Sequence, residues 1–403
     1  MKFIVLTQYY LPEITAPSVR LSSIASTLQK KGHDVEIVTT FPSHRIEKVP
    51  EKYRRKVFMR ELIDNVKVTR VWAVPHHKTV VKARVLSYAS FMLTSLFGLA
   101  VAGKADAIFV HSPPIFIGLP ALLAARAKKA LFILSISDLW PEWVGELGIV
   151  KNRFILSATD RFSRFLYARA DRIVAVSEGI QEALIRKGVP AEKIIFLPNG
   201  VDIDRFKPLD TEIERSGNDD ECRFLYAGNL GIAQDFDVIL EAAEHLQDLP
   251  GVAIEIVGEG PLREQIEAEI ERRRLKNVSL KRAVPPDELV TLYARARASL
   301  VTLRETQLVA GTRPSKIIIS LSCGKPVIYA GRGEAAELIQ KENCGIVVEP
   351  GNAKELAAAM RKLCDSRELA KEMGRNGRRL AEQSFSWDSL IEFFLQQIGA
   401  KTP

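Results

Sequence analysis

Apolar positions in this chain recur in two alternating rhythms. Short runs rich in Val, Ile, Leu and Phe give way to longer stretches in which apolar residues return every three or four positions, the signatures of strand and helix. Phe3–Thr7 opens the series. A loop with Pro12 and Pro17 leads into a helical stretch carrying Leu21, Ile24, Ala25 and Leu28 on one face; Gly32 stops it, and Asp34–Thr40 is the next strand. Ala107–His111, Leu131–Ile136, Arg172–Val176 and Ile194–Leu197 continue the strands until Pro198-Asn199-Gly200 breaks the order. Residues 209–221 are polar and read as a linker or loop. The alternation restarts with Arg223–Ala227 and a helix carrying Val238, Ile239, Ala242 and Ala243. Strands Val252–Val257, Ser299–Leu303, Pro326–Tyr329 and Gly345–Val348 follow.

Strand–helix alternation predicts parallel sheets with helices on both faces. Over 403 residues, interrupted once, it predicts an α/β protein of two Rossmann-like, doubly wound domains. Ligands are then expected in a cleft at the carboxyl ends of the strands. The last helix carries Trp387, Leu390, Ile391, Phe394, Leu395 and Ile398 on one stripe, which must dock onto another surface.

Charge changes this picture in one respect. The net charge is +8, but residues 1–200 hold 29 Lys and Arg against 16 Asp and Glu, while the remainder is net −5. The basic residues gather at Lys52, Arg54, Arg55, Lys56 and Arg60, and at Lys151, Arg153, Arg161, Arg164, Arg169 and Arg172. Between Arg84 and Lys104 no residue is charged. Ser87, Ser90, Thr94, Ser95 and Gly98 dilute that run, and it lies between two strands of one domain, so it reads as a buried or interfacial helix and not as a span. Peripheral attachment to an anionic membrane surface is expected through residues 82–104 and the basic clusters. Those clusters lack interleaved aromatics or a recognised module, so nucleic acid is not an expected partner. The four cysteines, Cys222, Cys323, Cys344 and Cys364, form no CxxC pair and read as reduced thiols of a cytoplasmic protein.

The usual cofactors find no place. From Met1 to Lys31 there is no glycine, so a dinucleotide pyrophosphate cannot approach the first βα turn, and Arg263 stands where Gly258-Glu259-Gly260 would need its third glycine. Asp202-Ile203-Asp204 and Asp235-Phe236-Asp237 have a metal-binding form but read as a turn and a helix cap. His76-His77 lacks metal-ligand spacing. No cofactor and no metal are expected.

Several segments together resemble the retaining glycosyltransferases of family 4. They are Gln8–Pro12 with Ala16–Leu21, His111–Pro114, Asp138–Trp143, Ala170–Glu178, Pro198–Pro208, Ala227–Gln234, Val257–Leu262, Arg313–Lys316 and Ser322–Val327. Asp-Leu-Trp-Pro-Glu at 138–142, Gln234 and Pro-Ser-Lys at 314–316 are similar to the branch that adds amino- or deoxy-sugars to lipid-linked surface polysaccharide.

The resemblance implies the GT-B fold, with two Rossmann-like domains facing across a cleft: residues 1–203 for the acceptor, 204–384 for a nucleotide diphosphate-sugar, and a final helix, 385–403, crossing back to the first. It implies transfer of a sugar to a glycan or lipid-linked acceptor. A departing diphosphate accumulates negative charge, which helix N-termini, close-approaching glycines and cations stabilise. Donor binding is therefore expected at Gly228, Asn229, Gly231, Gln234, Gly258, Gly260, Val284, Arg313, Pro314, Ser315 and Lys316. Gly228–Gly231 and Arg313–Lys316 are each expected to open a helix. Asp138, Ser137 and Lys316 are the expected catalytic residues, and Tyr10, Glu13, Arg20 and His111 the acceptor side. Trp140 and Trp143 are read either as a sugar-stacking wall or as core.

The chain departs from the family at several of these positions. Ser137 stands where many members have a histidine. The family's two glutamates align with Gly311 and Ile319, the second normally binding the donor ribose. Its diphosphate-binding Arg and Lys align with Asn229 and Gln234, and its first-loop glycine pair with Thr15 and Ala16. Two other readings follow: a non-catalytic member that binds a nucleotide or partner, or a sugar-nucleotide 2-epimerase, for which the six histidines leave few acid–base candidates.

Overall fold

Two parallel-sheet α/β units carry the chain, one of residues Met1–Asn199 with Leu390–Pro403, the other Gly200–Ser389. The computed structural model describes residues 1–13, 15–42, 50–75, 81–139, 152–209, 221–304 and 313–399. His76, His77, Trp140, Trp143, Gly311 and most of the 209–221 segment lie outside the described residues.

The first unit's sheet has the strand order β3-β4-β2-β1-β5-β6-β7-β8. The strands are β1 (Lys2–Leu6), β2 (Asp34–Thr40), β3 (Phe58–Ile63), β4 (Val66–Val71), β5 (Ala107–Ser112), β6 (Leu131–Ile136), β7 (Arg172–Ala175) and β8 (Ile194–Phe196). Covered by helices on both faces, the central strands read as near-continuous apolar runs, and every residue of β5 is buried.

One feature contradicts the all-parallel expectation. β3 pairs antiparallel with β4, in a hairpin that periodicity alone did not reveal. Its turn is Asp64-Asn65, both residues with positive φ (50° and 64°), a two-residue geometry that matches strand twist and suits Asp and Asn. The uncharged run forms the helix Val81–Val101 on this sheet. It buries Phe91, Ser95, Gly98 and Leu99 and leaves Val85, Leu86, Leu93, Leu96 and Phe97 exposed. A Cβ at Gly98 would lie 2.7 Å from Val38, so only glycine lets the helix sit this close to β2.

The stripe after Trp387 docks as its periodicity requires. Phe394 of the helix Trp387–Gln397 meets the rings of Phe3 and Phe109 at 6.5 and 6.0 Å, and Ile391 and Leu395 are buried beside it.

The second unit has the order β11-β10-β9-β12-β13-β14, all parallel. Its strands are β9 (Cys222–Ala227), β10 (Val252–Val257), β11 (Val278–Lys281), β12 (Ala298–Thr302), β13 (Val327–Ala330) and β14 (Gly345–Val348). Cys222 and Cys364 are joined in a disulfide, correcting the reading of four free thiols; Cys323 and Cys344 are free and buried. The partners stand 142 residues apart, at the start of β9 and near the end of the helix Ala353–Asp365, a proximity that spacing in the sequence cannot disclose.

Candidate active site

In an open parallel sheet, neighbouring strands whose connections leave in opposite directions open a crevice at their carboxyl ends. In the second unit that switch point lies between β9 and β12. The loops that follow these two strands carry Gly228–Gly231 and Arg313–Lys316.

Lys316 is the centre of this region. It sits in the first turn of the helix Ser315–Ser322, behind Pro314. Its Nζ donates to the Tyr226 hydroxyl (2.7 Å) and to Gln234 Oε1 (2.8 Å), and rests 4.1 Å from the centroid of the Tyr226 ring. Burial pushes its pKa down to about 7, because the ammonium has given up water without gaining a carboxylate. Tyr226, at the end of β9, is buried, and its hydroxyl donates to the Asn229 carbonyl (2.8 Å). That bond ties the lysine's seat to the glycine loop.

The loop is built by close backbone approach. Gly228 has φ 150°, and a Cβ there would stand 3.3 Å from Lys316 Cε. A Cβ on Gly258 would meet the Gly228 carbonyl oxygen at 1.9 Å. The loops after β9 and β10 interlock through Gly228 N–H to the Val257 carbonyl (2.9 Å) and Leu230 N–H to the Glu259 carbonyl (2.9 Å). Gly260 presses on the Leu230 backbone and Gly231 on the Asn229 side chain. Gly228 and Asn229 face solvent.

The structure thus brings Gly228, Asn229, Gly231, Gln234, Gly258, Gly260 and Lys316 together. It differs from expectation in two respects. Gly228–Gly231 does not open a helix: a turn intervenes, and the helix begins at Phe236. Arg313, expected on a phosphate, is nearly buried, paired with the Glu334 carboxylate and laid over the Phe385 ring at 5.2 Å. Ser315 is exposed, Val284 half-buried. Tyr226 and Glu334 escaped the sequence reading. A tyrosine in a buried strand reads as core, and only the need of its hydroxyl for a partner signals otherwise.

In the first unit the switch point lies between β1 and β5. Tyr10, Glu13, Arg20 and His111, expected to face the acceptor, are all buried, with at most 5% of their surface exposed. Arg20 donates to the carbonyls of Leu197 and Pro198 (2.7 and 2.8 Å) and to Asn199 Oδ1 (2.9 Å), and burial lowers its pKa to about 9. It clamps the chain after β8. Arg70, fully buried, does the same for the first loop through the carbonyls of Leu11 and Thr40. The Thr15 hydroxyl caps the helix Ala16–Lys30 in a reciprocal box with Ser18.

At the ends of β5 and β6 a polar group remains. Ser137 Oγ lies 3.4 Å from His111 Nε2, and Ser137 N–H donates to the Ser112 carbonyl (3.1 Å). His111 Nδ1 and Ser112 Oγ are buried with no hydrogen-bond partner among the described residues. Burial, and then Arg20, pull His111 down to about 3, so it stays neutral. Half-buried Asp138 is pushed up to about 6 by desolvation. No cluster of three or more His, Cys, Asp or Glu able to hold a metal occurs among the described residues. Asp202 Oδ1 accepts from the backbone of Asp204 and Arg205 (3.1 and 3.0 Å), a local turn, and Asp237 pairs with Arg304 (3.0 Å).

Known proteins carry the same architecture. Residues 15–200 match the Glycosyl transferase 4-like domain, and residues 210–380 match Glycosyl transferases group 1. The chain is 26% identical over 418 residues to the putative colanic acid biosynthesis glycosyl transferase WcaI of Escherichia coli, covering 99% of this chain and all of that one. With the D-rhamnosyltransferase WbpZ of Pseudomonas aeruginosa it shares 27% identity over 290 residues, 71% of each. Its fold matches a sucrose-phosphate synthase from Thermosynechococcus elongatus (TM-score 0.78, 17% identity, 99% and 98% covered). It also matches Anabaena Alr3699/HepE in complex with UDP (TM-score 0.73, 18% identity, 99% and 100% covered). With both units matched in order, this chain belongs to the group 1 glycosyltransferases of the GT-B fold.

Proposed function

We propose that the chain moves a hexosyl or amino-sugar group, with retention and without a metal, from a nucleoside diphosphate-sugar to a glycan or lipid-linked acceptor of surface-polysaccharide synthesis. The name of one relative, a putative colanic acid biosynthesis glycosyl transferase, supports the acceptor class. The observation that carries the chemistry is Lys316, an amine with a pKa near 7 beneath the solvent-facing Gly228 at the switch point of the second unit. A diphosphate arriving there returns the missing counter-charge, and the lysine becomes fully cationic as the leaving group gains negative charge. Asp138, Ser137 and His111 supply hydrogen-bond capacity for sugar or acceptor hydroxyls in the first unit. The donor's own phosphate accepts the acceptor's proton, so little acid–base work falls to the protein.

A panel of UDP-, GDP-, TDP- and ADP-sugars, with and without EDTA, tests this reading. Turnover of one donor unaffected by EDTA is expected, with NMR showing the product anomer to be that of the donor. Binding without turnover on any donor favours the non-catalytic alternative, and isomerisation at C2 the epimerase.

The exposed face of Val81–Val101 supports peripheral membrane attachment as well. Val85, Leu86, Leu93, Leu96 and Phe97 form one stripe, Phe97 packs on Phe58 of β3, and Arg60 and Lys128 bond to the carbonyls at the helix's end. No helix of the described residues is long and apolar enough to cross a membrane. Co-sedimentation with phosphatidylglycerol vesicles at low salt is expected, and its loss in Leu93→Glu/Phe97→Glu. No binding to such vesicles rejects the attachment.

A further inference from the structure

Three helices cover one face of the first sheet: Val81–Val101, Gly118–Lys128 and Arg153–Arg169. Each feeds the same core, with Phe91 and Leu99 from the first, Ala121 and Ala125 from the second, Leu166 and Tyr167 from the third. Gly118–Lys128 packs between the other two. A Cβ at Gly118 would stand 2.6 Å from Leu166, so the layer is closely joined. The opposite face carries Ala16–Lys30 and Trp387–Gln397, which meet through Lys31 and Glu392 (3.6 Å).

The outer surfaces of these two layers differ in chemistry. Among the described residues, Ala16–Lys30 and Trp387–Gln397 expose only Val19 and Phe393 as large apolar side chains. The three-helix layer instead adds Leu123, Phe154, Ile155 and Phe165 to the exposed stripe of Val81–Val101, and Phe154 is 88% exposed. Arg161 and Phe165 follow Phe154 by seven and eleven residues, so the three form one line along the outside of their helix. The Arg169 guanidinium lies over the Phe165 ring at 5.3 Å. The three helices hold eight Lys and Arg and a single acidic residue, Asp160, which accepts from Arg164 and Lys187 (2.7 Å each). The two helices opposite hold two charges of each sign, and one of those cations, Arg20, is buried. Aliphatic and aromatic side chains interspersed with cations suit a headgroup layer, where the apolar groups reach the acyl boundary and the cations meet lipid phosphates. A nucleic acid would match the charge but not the exposed Leu, Ile and Val side chains.

We infer that Arg153–Arg169 is a second membrane-inserting element, and that the whole three-helix layer lies on an anionic bilayer with the first sheet parallel to the lipid surface. The inference rests on the attachment proposed above for Val81–Val101 and deepens it. One inserted helix leaves a protein free to roll about that helix's axis. Two of them, separated by Gly118–Lys128, fix the plane of the sheet. The crevice at the ends of β1 and β5 then opens along the membrane, about 10 Å above it, the thickness of one helix layer. An acceptor anchored in the same bilayer reaches that crevice sideways.

The test is nitroxide accessibility on phosphatidylglycerol vesicles at low salt, in the full chain labelled singly at Leu93→Cys, Phe154→Cys or Val19→Cys. The labels at 93 and 154 are expected to be shielded from an aqueous nickel chelate and open to dissolved oxygen, while the label at 19 stays in water. A label at 154 that remains in water while the one at 93 enters lipid overturns the inference and leaves attachment through Val81–Val101 intact. Both labels in water remove that attachment, and the inference with it. Entry of the label at 154 alone overturns the placement of the sheet. Phe154→Ala/Phe165→Ala, which adds no charge, is expected to weaken vesicle affinity by about tenfold or more at an unchanged melting temperature, since two rings lose their apolar surroundings. Unchanged affinity in that variant overturns the inference, as does equal affinity of the unmodified chain for phosphatidylcholine vesicles. If the lipid-free chain sediments as a dimer that the same variant dissociates, the face belongs to a second copy and the inference fails.

Discussion

The two switch points are built to opposite plans. In the second unit, polar groups are arranged around an exposed glycine loop, and Lys316 at its centre is held, among the described residues, by a phenol and an amide and no carboxylate. In the first unit, the cations near the switch point are consumed by the protein itself: Arg20 by the Leu197 and Pro198 carbonyls and Asn199 Oδ1, Arg70 by the Leu11 and Thr40 carbonyls and the Glu61 carboxylate. A buried cation satisfied by carbonyls is a fastener, whereas one held by neutral groups at a depressed pKa retains the capacity to attract an anion. The same residue types near the same feature of a parallel sheet thus serve shape in one unit and charge in the other.

That contrast can be broken most forcefully at Arg20. Arg20→Ala leaves two buried carbonyls without a donor and is expected to lower stability by about 3 kcal/mol in urea unfolding. Nucleotide affinity of the folded fraction should stay unchanged. If affinity falls instead, the fastener reading fails. Lys316→Ala is the mirror image: nucleoside diphosphate binding should weaken by about 1–3 kcal/mol by calorimetry, with little loss of melting temperature. A smaller effect, about 1 kcal/mol on affinity, is expected for Tyr226→Phe, which keeps the ring under the ammonium but removes the hydroxyl.

Acidity sharpens the comparison further. Lys316 is mostly protonated below pH 7 and mostly neutral above it in the free protein. Diphosphate affinity should therefore be greatest at or below pH 7 and decline as pH rises, by up to about tenfold per unit. In Lys316→Met this slope should vanish. Asp138 shows the opposite linkage. Its folded pKa, about 6, exceeds the ordinary value of 3.8, so its ionisation opposes folding as pH climbs from 4 to 6 and the loss persists above. Asp138→Asn should thus raise the melting temperature modestly at pH 7.5 and not at pH 4; an equal shift at both would show that its charge is not the cause.

Much of this was legible along the chain, and the rest was hidden for physical reasons. Asp34–Thr40, Leu131–Ile136 and Val252–Val257 have the bounds that periodicity predicts, because strands buried on both faces leave an apolar run, and the half-buried edge strand Gly345–Val348 keeps its predicted bounds as well. β3 and β4 escaped because an edge hairpin with Arg60, Glu61, Lys67 and Arg70 in it looks polar, and Arg70 is nevertheless fully buried. The motif around Lys316 was readable, while the depth of Tyr10, Glu13, Arg20 and His111 was not. A loop without glycine does not reveal that Tyr10 and Glu13 turn inward, and a polar residue in a helix or at a strand end, as Arg20 and His111 are, carries no mark of its depth. Ile319 was visible as a departure, but that it shares an apolar floor with Val284 required the packing of three separate segments.

The return of the final helix to the first unit carries a consequence for biosynthesis. Phe3 and Phe109 precede the second unit in the chain, yet the ring that covers them, Phe394, follows it. The first sheet can therefore form during translation but cannot complete one face of its core until the whole second unit has been made. A nascent chain halted within residues 200–389 would present an uncovered aromatic surface, a natural handle for the chaperones that guard unfinished proteins.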